Sequence, residues 1–383
     1  MDVFSFVSPE VIFGPGTISQ CGESAVRLGA KKLLVVTDKE LVKSHWLAQV
    51  KIHLEQAGLE YVIWSDVSPN PRDEDILGGV RQYHNGGCDI VLAVGGGSPI
   101  DAAKAVALVV SNGGKVSDYE DIDSIQRPLP PMIAMPTTAG SGSEVSQFTI
   151  IVNTEEKRKM TLVSKSLIPY IVIYDPDFLT TLDDRLMIYS AFNILSHAIE
   201  AFVSVAATPI TDLCALNAIK TITQCLHQLS QGNRTPEMNY SMAMANLESG
   251  LAFSNAILGA VHAMTHQICV LHDLPAGLVD AVLLPRVMEF NLPVAKHKYC
   301  LIAEAMGEKV ANHKLDAGKA IAAVDRLVND LKLPTSLSQL SIKDDQLSQL
   351  ATNVFKDICL VTNPRELSLD DTVNILESAF KSR

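Results

Sequence analysis

The stretch from Ile90 to Val110 reads IVLAVGGGSPIDAAKAVALVV. An apolar, β-branched run feeds three consecutive glycines and then strong helix formers, a pattern of strand, tight turn and helix. Such a turn turns backbone N–H groups and the positive end of the helix dipole outward, which suits a pyrophosphate. Pro99 fits the first helical turn, where its missing N–H would be unpaired in any case. A plain glycine-rich turn has the same composition, and the run is not the GxGxxG fingerprint, because Ile100 stands at its third glycine position.

Outward from this unit, further short β-rich runs alternate with helical patterns: KKLLVVTD at 31–38, YVIWSDV at 61–67 and PMIAMPTT at 131–138. Alternation of this kind specifies a parallel, doubly wound sheet. After the run IPYIVIYDPDFL, long periodic segments take over at 185–205, 215–229, 238–252 and 317–331. The expectation is an N-terminal Rossmann-like α/β dinucleotide-binding domain at 1–177 and an all-α C-terminal domain at 178–383.

Two further elements support a dinucleotide. The run PTTAGSGSE from Pro136 to Glu144 packs small residues and hydroxyls after a strand, so a ligand can approach the backbone while Thr137, Thr138 and Ser141 offer hydrogen bonds. Asp38 ends the first clear strand, where a carboxylate accepts from a ribose diol and repels a 2′-phosphate. Taken alone it reads as a turn or N-cap aspartate. Together with Gly95, Gly96, Gly97 and Ser98, these residues favour NAD over NADP.

Composition sets limits on partners. A net charge of −12, from 31 basic and 43 acidic residues, argues against nucleic acid or an anionic membrane surface. The densest basic run, Lys157-Arg158-Lys159, is too short to reverse that. Seven scattered cysteines without a CxxC pair indicate neither a disulfide framework nor a zinc–thiolate site, and they fit a reducing cytoplasm. The N-terminus lacks the basic start and apolar run of a signal peptide, and no uninterrupted apolar run approaches the roughly 18 residues that span a bilayer.

The stretch from Gly259 to Pro285 reads GAVHAMTHQICVLHDLPAGLVDAVLLP. Spacing of four puts His262 and His266 on one helical face, and likewise Asn193 and His197 on another. Two such faces can hold a divalent metal or place proton donors beside a carbonyl. Histidines on apolar helices are also commonly satisfied core residues, and Cys269 beside them reads as a small core filler.

The ordered segments VGGGSPIDAAKAVAL, PTTAGSGSEV, HAIEAFVS, GAVHAMTHQ and VLLPRVMEFN resemble the motifs of the iron-containing alcohol dehydrogenases, from FGPG at Phe13 to TNPRE at Thr362. The resemblance implies the two-domain fold, a metal between the domains, and reversible oxidation of small primary alcohols with NAD(P). Asn70, Asp101 and Lys159 are expected to complete the cofactor set. The family's metal site uses an aspartate and three histidines, whose places here are Asn193, His197, His262 and Ala276. Two of these four are altered: the amide keeps a carbonyl oxygen, and alanine leaves no donor. The expectation is therefore a divalent metal (iron or zinc) bound weakly or not at all, unless His272 or Asp280, four residues either side of Ala276, fills the vacancy.

With the ion weakened, His266 is the expected general acid for aldehyde reduction, supported by His262 and His197; an ordinary histidine titrates near neutrality, which suits the task. Maleylacetate reductases, which resemble the same fold, do without the usual ion. The alternatives are a catalytically impaired nucleotide-binding or assembly subunit and a lyase-type relative like the dehydroquinate synthases. The resemblance also implies a homodimer or larger homo-oligomer.

Overall fold

Burial on both faces explains why the strand runs are nearly continuous apolar sequence. In a computed structural model that describes residues 4–120, 122–312 and 315–381, eight strands form: β1 Glu10–Phe13, β2 Lys32–Val36, β3 Glu60–Trp64, β4 Ile90–Gly95, β5 Met132–Pro136, β6 Phe148–Asn153, β7 Arg158–Val163 and β8 Ile171–Tyr174. Six make a parallel sheet in the order β1-β8-β5-β4-β2-β3. Alternate residues face opposite cores: Leu33, Val35, Ile90, Leu92 and Val94 enter one, and Leu34, Val36, Val91 and Ala93 the other.

Helices cover both sides. α1 (Cys21–Arg27) and α3 (His45–Gln56) contribute Ala25, Leu47, Val50 and Leu54 to the first core. α4 (Asp73–Gly86) and α5 (Gly97–Asn112) contribute Ile76, Val106 and Leu108 to the second, and α2 (Lys39–Val42) follows β2 as a single turn. Strand order reverses between β2 and β4, and a crevice at the carboxyl ends of strands forms at such a point. The antiparallel pair β6 and β7 forms a separate small sheet, and the sequence patterns did not identify either strand. Its Arg158 is buried and bonded to Glu120 and Glu156, which removes it from any basic surface.

This unit comprises Val7–Leu182; the second comprises residues 183–381 with 4–6. The division follows the 3-10 helix Pro176–Thr181, just after the boundary expected at residue 177. Eight helices make up the second unit: α6 Asp184–Val203, α7 Pro209–Ser230, α8 Pro236–Ala256, α9 Ala260–His272, α10 Ala276–Ala305, α11 Gly318–Asp330, α12 Leu347–Val354 and α13 Leu369–Phe380. The starts follow local chemistry. Asp183 caps α6 through Leu186 N–H, and α7 and α8 each open on a Thr-Pro pair, threonine as cap and proline at the first position. α10 contains Pro285 and Pro293, and a kink at Ala295 interrupts its helical backbone.

By length and composition α6 is apolar enough to cross a membrane, although Asn193, Ser196, His197 and Glu200 break up its apolar run. Those polar groups are buried within the helical unit or lie against it.

Candidate active site

In the α/β unit, β4 ends at Gly95, whose φ of +157° favours glycine, and Gly96 begins α5 without any side-chain cap. The first N–H groups of α5 are thus left to backbone and ligand, the arrangement that receives anions at helix N-termini. The glycines also allow two loops to touch. A Cβ on Gly96 would lie 2.9 Å from Thr138 Oγ1, and one on Gly97 would lie 2.8 Å from Ser141 Cβ. Thr137 N–H donates to the Gly95 carbonyl at 3.0 Å, which fixes the second loop to the first. Ser98 Oγ donates to the Pro69 carbonyl, so the segment carrying Asn70 borders the same turn.

Asp38 follows β2, whose Val36 pairs with Ala93 of β4, and so it lies at the same end of the sheet. One oxygen, Oδ1, accepts from Glu40 N–H at 3.0 Å and Leu41 N–H at 2.8 Å, so Asp38 is an N-cap. Asp101 and Lys159 come within electrostatic reach of one another. Burial pushes the Asp101 carboxyl up to about 6, against the opposing pull of Lys104, Ser143, the Ile150 N–H and Lys159. Lys104 is fully buried and donates to the carbonyls of Ser146 and Phe148, both at 2.7 Å, which pins the loop leading into β6.

In the helical unit, α6 and α9 bring the predicted histidines together. His197 and His262 stack with ring centroids 4.3 Å apart, and His266 lies edge-on to His262 at 6.0 Å. All three are nearly inaccessible. His262 Nδ1 contacts Glu200 Oε2 at 2.6 Å, and its Nε2 lies 3.1 Å from Asn193 Oδ1. Burial lowers the His262 pKa well below the usual histidine value, and the neighbouring His266 lowers it further. A neutral imidazole follows.

Glu200 serves α9 as well. Gly259, the residue before the helix, has no capping side chain; Glu200 Oε1 instead accepts from Val261 N–H at 2.7 Å, and Asn363 Oδ1 accepts from Ala260 N–H at 3.2 Å. Burial pushes the Glu200 carboxyl up to about 7, against the N–H groups of Val261, His262 and Gly259. Side chains thus cap the start of the histidine helix from two other segments.

Glu200 and two further residues of the cluster were not identified from sequence. Asp357, which begins the 3-10 helix Ile358–Thr362, accepts from His266 Nδ1 at 2.8 Å. Burial alone would raise its pKa, but the charge and hydrogen bond of His266 and the Cys359 N–H bring it below the usual range. An aspartate five residues before the TNPRE segment was the available signal. Ser196 is the other, a buried hydroxyl on α6 that favours ionisation of Asp280.

α10 begins against α6. A Cβ on Gly277 would lie 1.8 Å from the Tyr189 carbonyl oxygen and 3.0 Å from Asn193 N, so the backbones touch there. Ala276 is therefore beside Asn193, as the motif alignment requires, and offers no donor. One turn on, Asp280 is fully buried; its Oδ1 accepts from Thr265 Oγ1 at 2.6 Å and its Oδ2 lies 3.7 Å from His262 Nε2.

Comparison with known proteins agrees with this layout. Residues 8–176 match the family described as iron-containing alcohol dehydrogenase, and residues 187–380 match the C-terminal domain of the same family. The chain belongs to the iron-containing alcohol dehydrogenases. It is 38% identical to 1,3-propanediol dehydrogenase of Klebsiella pneumoniae and 34% identical to NAD-dependent methanol dehydrogenase of Bacillus methanolicus, covering 99% and 98% of this chain and 99% of each relative. A crystal structure of 1,3-propanediol oxidoreductase superposes with a TM-score of 0.95 at 37% identity, covering 99% of this chain and 100% of that one. Membership makes the protein an oxidoreductase of the alcohol dehydrogenase type.

Iron-containing alcohol dehydrogenases imply a metal, and the residues present can be tested for it. Counting the four aligned positions alone leaves two imidazoles and one amide. The structure adds Asp280, a buried carboxylate whose Oδ2 lies 3.7 Å from His262 Nε2 and which Ser196 also reaches. His272, the other substitute considered, closes α9 roughly 15 Å along the helix axis from His262 and is out of place for the role. Even with Asp280 included, the donor set does not fit a divalent ion as it stands, because the nearly parallel, stacked rings of His197 and His262 cannot both aim a nitrogen lone pair at one point.

Proposed function

We propose that this protein interconverts small primary alcohols and aldehydes by hydride transfer with NAD, using His266 as the proton donor and acceptor. The observation that carries the chemistry is the buried His266–Asp357 pair at 2.8 Å, beside the stacked His262 and His197. Gly95, Gly96, Gly97, Ser98, Thr137, Thr138 and Ser141 would hold NADH, with Asp38 at the ribose, and the bound cofactor would supply the hydride that reduces the carbonyl carbon. The carbonyl oxygen then carries the electron pair of the broken π bond and takes a proton from His266. Asp357 accepts Nδ1–H, holds the ring in one orientation and stabilises the imidazolium in the reverse direction, as carboxylates do in histidine-based catalysis. His262 and His197 orient the oxygen. Asn70, Asp101 and Lys159 support the cofactor loops.

A divalent ion on His197, His262, Asn193 and Asp280 would supply Lewis-acid polarisation of that oxygen. The losses at Asn193 and Ala276 favour instead a reaction without an ion. A nucleotide-binding subunit without activity accounts for the substitutions but not for the retained His266–Asp357 pair. The family resemblance supports a homo-oligomer, and seven cysteines free of disulfides support a cytoplasmic setting.

The test is NADH oxidation with short aldehydes. Wild type turns over; His266→Ala and Asp357→Asn lower kcat by roughly 10² to 10⁴, with the KM for NADH little changed. Because the Asp357 pKa is depressed, its contribution to stability is complete above about pH 4 and is lost as pH falls through the depressed value, an acid-side loss that Asp357→Asn lacks. Full activity in His266→Ala would exclude the proton-transfer role, and no turnover with any short aldehyde would favour the binding subunit.

A further inference from the structure

We propose that Asn363 is a positioning residue for the proton-transfer pair: it anchors the far end of a strap, residues 357–363, that lies along α9 and holds Asp357 against His266. What the held pair does rests on the dehydrogenase reading above; how it is held rests on hydrogen bonds within the helical unit.

The strap is tied to α9 at both ends. At its start Asp357 accepts from His266 Nδ1 at 2.8 Å and from Gln267 Nε2 at 3.4 Å. At its end Thr362 Oγ1 donates to the Leu258 carbonyl at 2.6 Å, and Asn363 Oδ1 accepts from Ala260 N–H at 3.2 Å. The strap therefore runs opposite to α9. Between the two ends, the 3-10 helix Ile358–Thr362 starts on Asp357, whose second oxygen accepts from Cys359 N–H at 3.0 Å. Among the described residues the Asp357 carboxylate bonds only to α9 and to Cys359 of the strap itself.

Asn363 is buried and uses every hydrogen-bonding group of its amide. Nδ2 donates to Asn291 Oδ1 at 2.9 Å and to the Arg365 carbonyl at 2.6 Å. Oδ1 accepts from Asn291 Nδ2 at 3.1 Å as well as from Ala260 N–H. Aspartate, with the same shape, would lose both donors and add a buried charge. Pro364 disfavours helical backbone at the residue before it, and Asn363, with φ −61° and ψ 134°, ends the 3-10 helix in the extended region.

α10 completes the anchor. Phe290, the residue before Asn291, offers its carbonyl to Arg365 Nη1 at 2.9 Å, and the guanidinium lies 3.9 Å from the centre of its ring. The segments MEFN and TNPRE, far apart in the chain, thus form one clamp at the start of α9. Such a clamp matters for rate, because a misplacement of about 1 Å at a reacting group costs about 10²-fold.

The test compares Asn363→Ala, Asp357→Asn and the double variant in NADH oxidation with short aldehydes. Asn363→Ala lowers kcat roughly 10- to 100-fold with the KM for NADH little changed. In the Asp357→Asn background it lowers kcat no further, since both changes act through one hydrogen bond. Additive losses would instead mean a general loss of structure and would overturn the proposal. Arg365→Met, at a partly exposed side chain, keeps the buried amides and covers the case in which Asn363→Ala fails to fold; its smaller fall in kcat likewise vanishes beside Asp357→Asn. A second readout does not depend on turnover. The Nδ1 proton of His266, identified in the NMR spectrum by its loss in His266→Ala, exchanges with water roughly tenfold faster or more in Asn363→Ala. If exchange and kcat were both unchanged, Val354 of α12, whose carbonyl accepts from Asp357 N–H at 3.0 Å, would be holding the carboxylate unaided and the role of Asn363 would be refuted. If wild type turned over no aldehyde, the dehydrogenase reading would fall, and the exchange rates would still decide for or against the strap.

Discussion

The glycine cradle of the α/β unit and the histidine cluster of the helical unit are built on opposite rules. The cradle works by leaving things out: Gly96 and Gly97 lack side chains so that two loops can meet, and α5 lacks a side-chain cap so that its first N–H groups remain available. The cluster works by accumulation, packing Glu200, Asp280 and Asp357 with three histidines where water is nearly excluded. The first depends on the absence of a Cβ at two positions. The second depends on mutual neutralisation, because each buried charge needs its neighbour.

Three substitutions sharpen the contrast. The largest effect is expected from Gly277→Ala, since the new Cβ meets the α6 backbone at 1.8 Å and neither helix can yield locally. The cost is about 3 kcal/mol or more, read as a lower urea midpoint; an unchanged midpoint would mean that α10 is free to slide along α6. Gly97→Ala places a Cβ 2.8 Å from the Ser141 side chain. An overpacking cost of about 1 to 3 kcal/mol falls on the loop contact, so the KM for NADH rises roughly tenfold while kcat changes little. A parallel loss of kcat would show that the cost is not confined to the cradle.

Asp38→Asn gives the smallest effect. Asparagine caps as well as aspartate, so stability stays within about 0.5 kcal/mol. Removing one like charge at about 1 kcal/mol raises the NADPH to NADH ratio of kcat/KM roughly fivefold. No change in the ratio would reduce Asp38 to its capping role.

The same contrast explains what could be read from sequence. Gly95, Gly96 and Gly97 after IVLAV, with helix formers following, carry their meaning locally, because a turn's backbone requirement is visible in the residues that make it. His262 with His266, and Asn193 with His197, were also legible, since a spacing of four is a property of one helix. Asp357 was not, because it reaches His266 across 91 residues of chain. Asp280 appeared in sequence only as one of two candidates, and the choice between it and His272 needed the turn at Asp273, where the backbone enters the left-handed region and separates α9 from α10. The antiparallel pair β6 and β7 was missed because Thr149, Asn153, Arg158, Lys159 and Thr161 interrupt its apolar residues, so neither strand shows the continuous apolar run of the parallel sheet.

The borrowed capping of α9 has a consequence for the order in which the protein is made. The chain leaves the ribosome N-terminus first, and its domains generally fold as they emerge. The α/β unit has all its strands once Tyr174 is out. The histidine helix is different: Glu200 waits for it, but Asn363, which caps Ala260, and Asp357, which holds His266, emerge about a hundred residues later. The α/β unit can therefore be finished while the histidine cluster is still unset, and the His266–Asp357 pair comes together only after Asp357 has emerged.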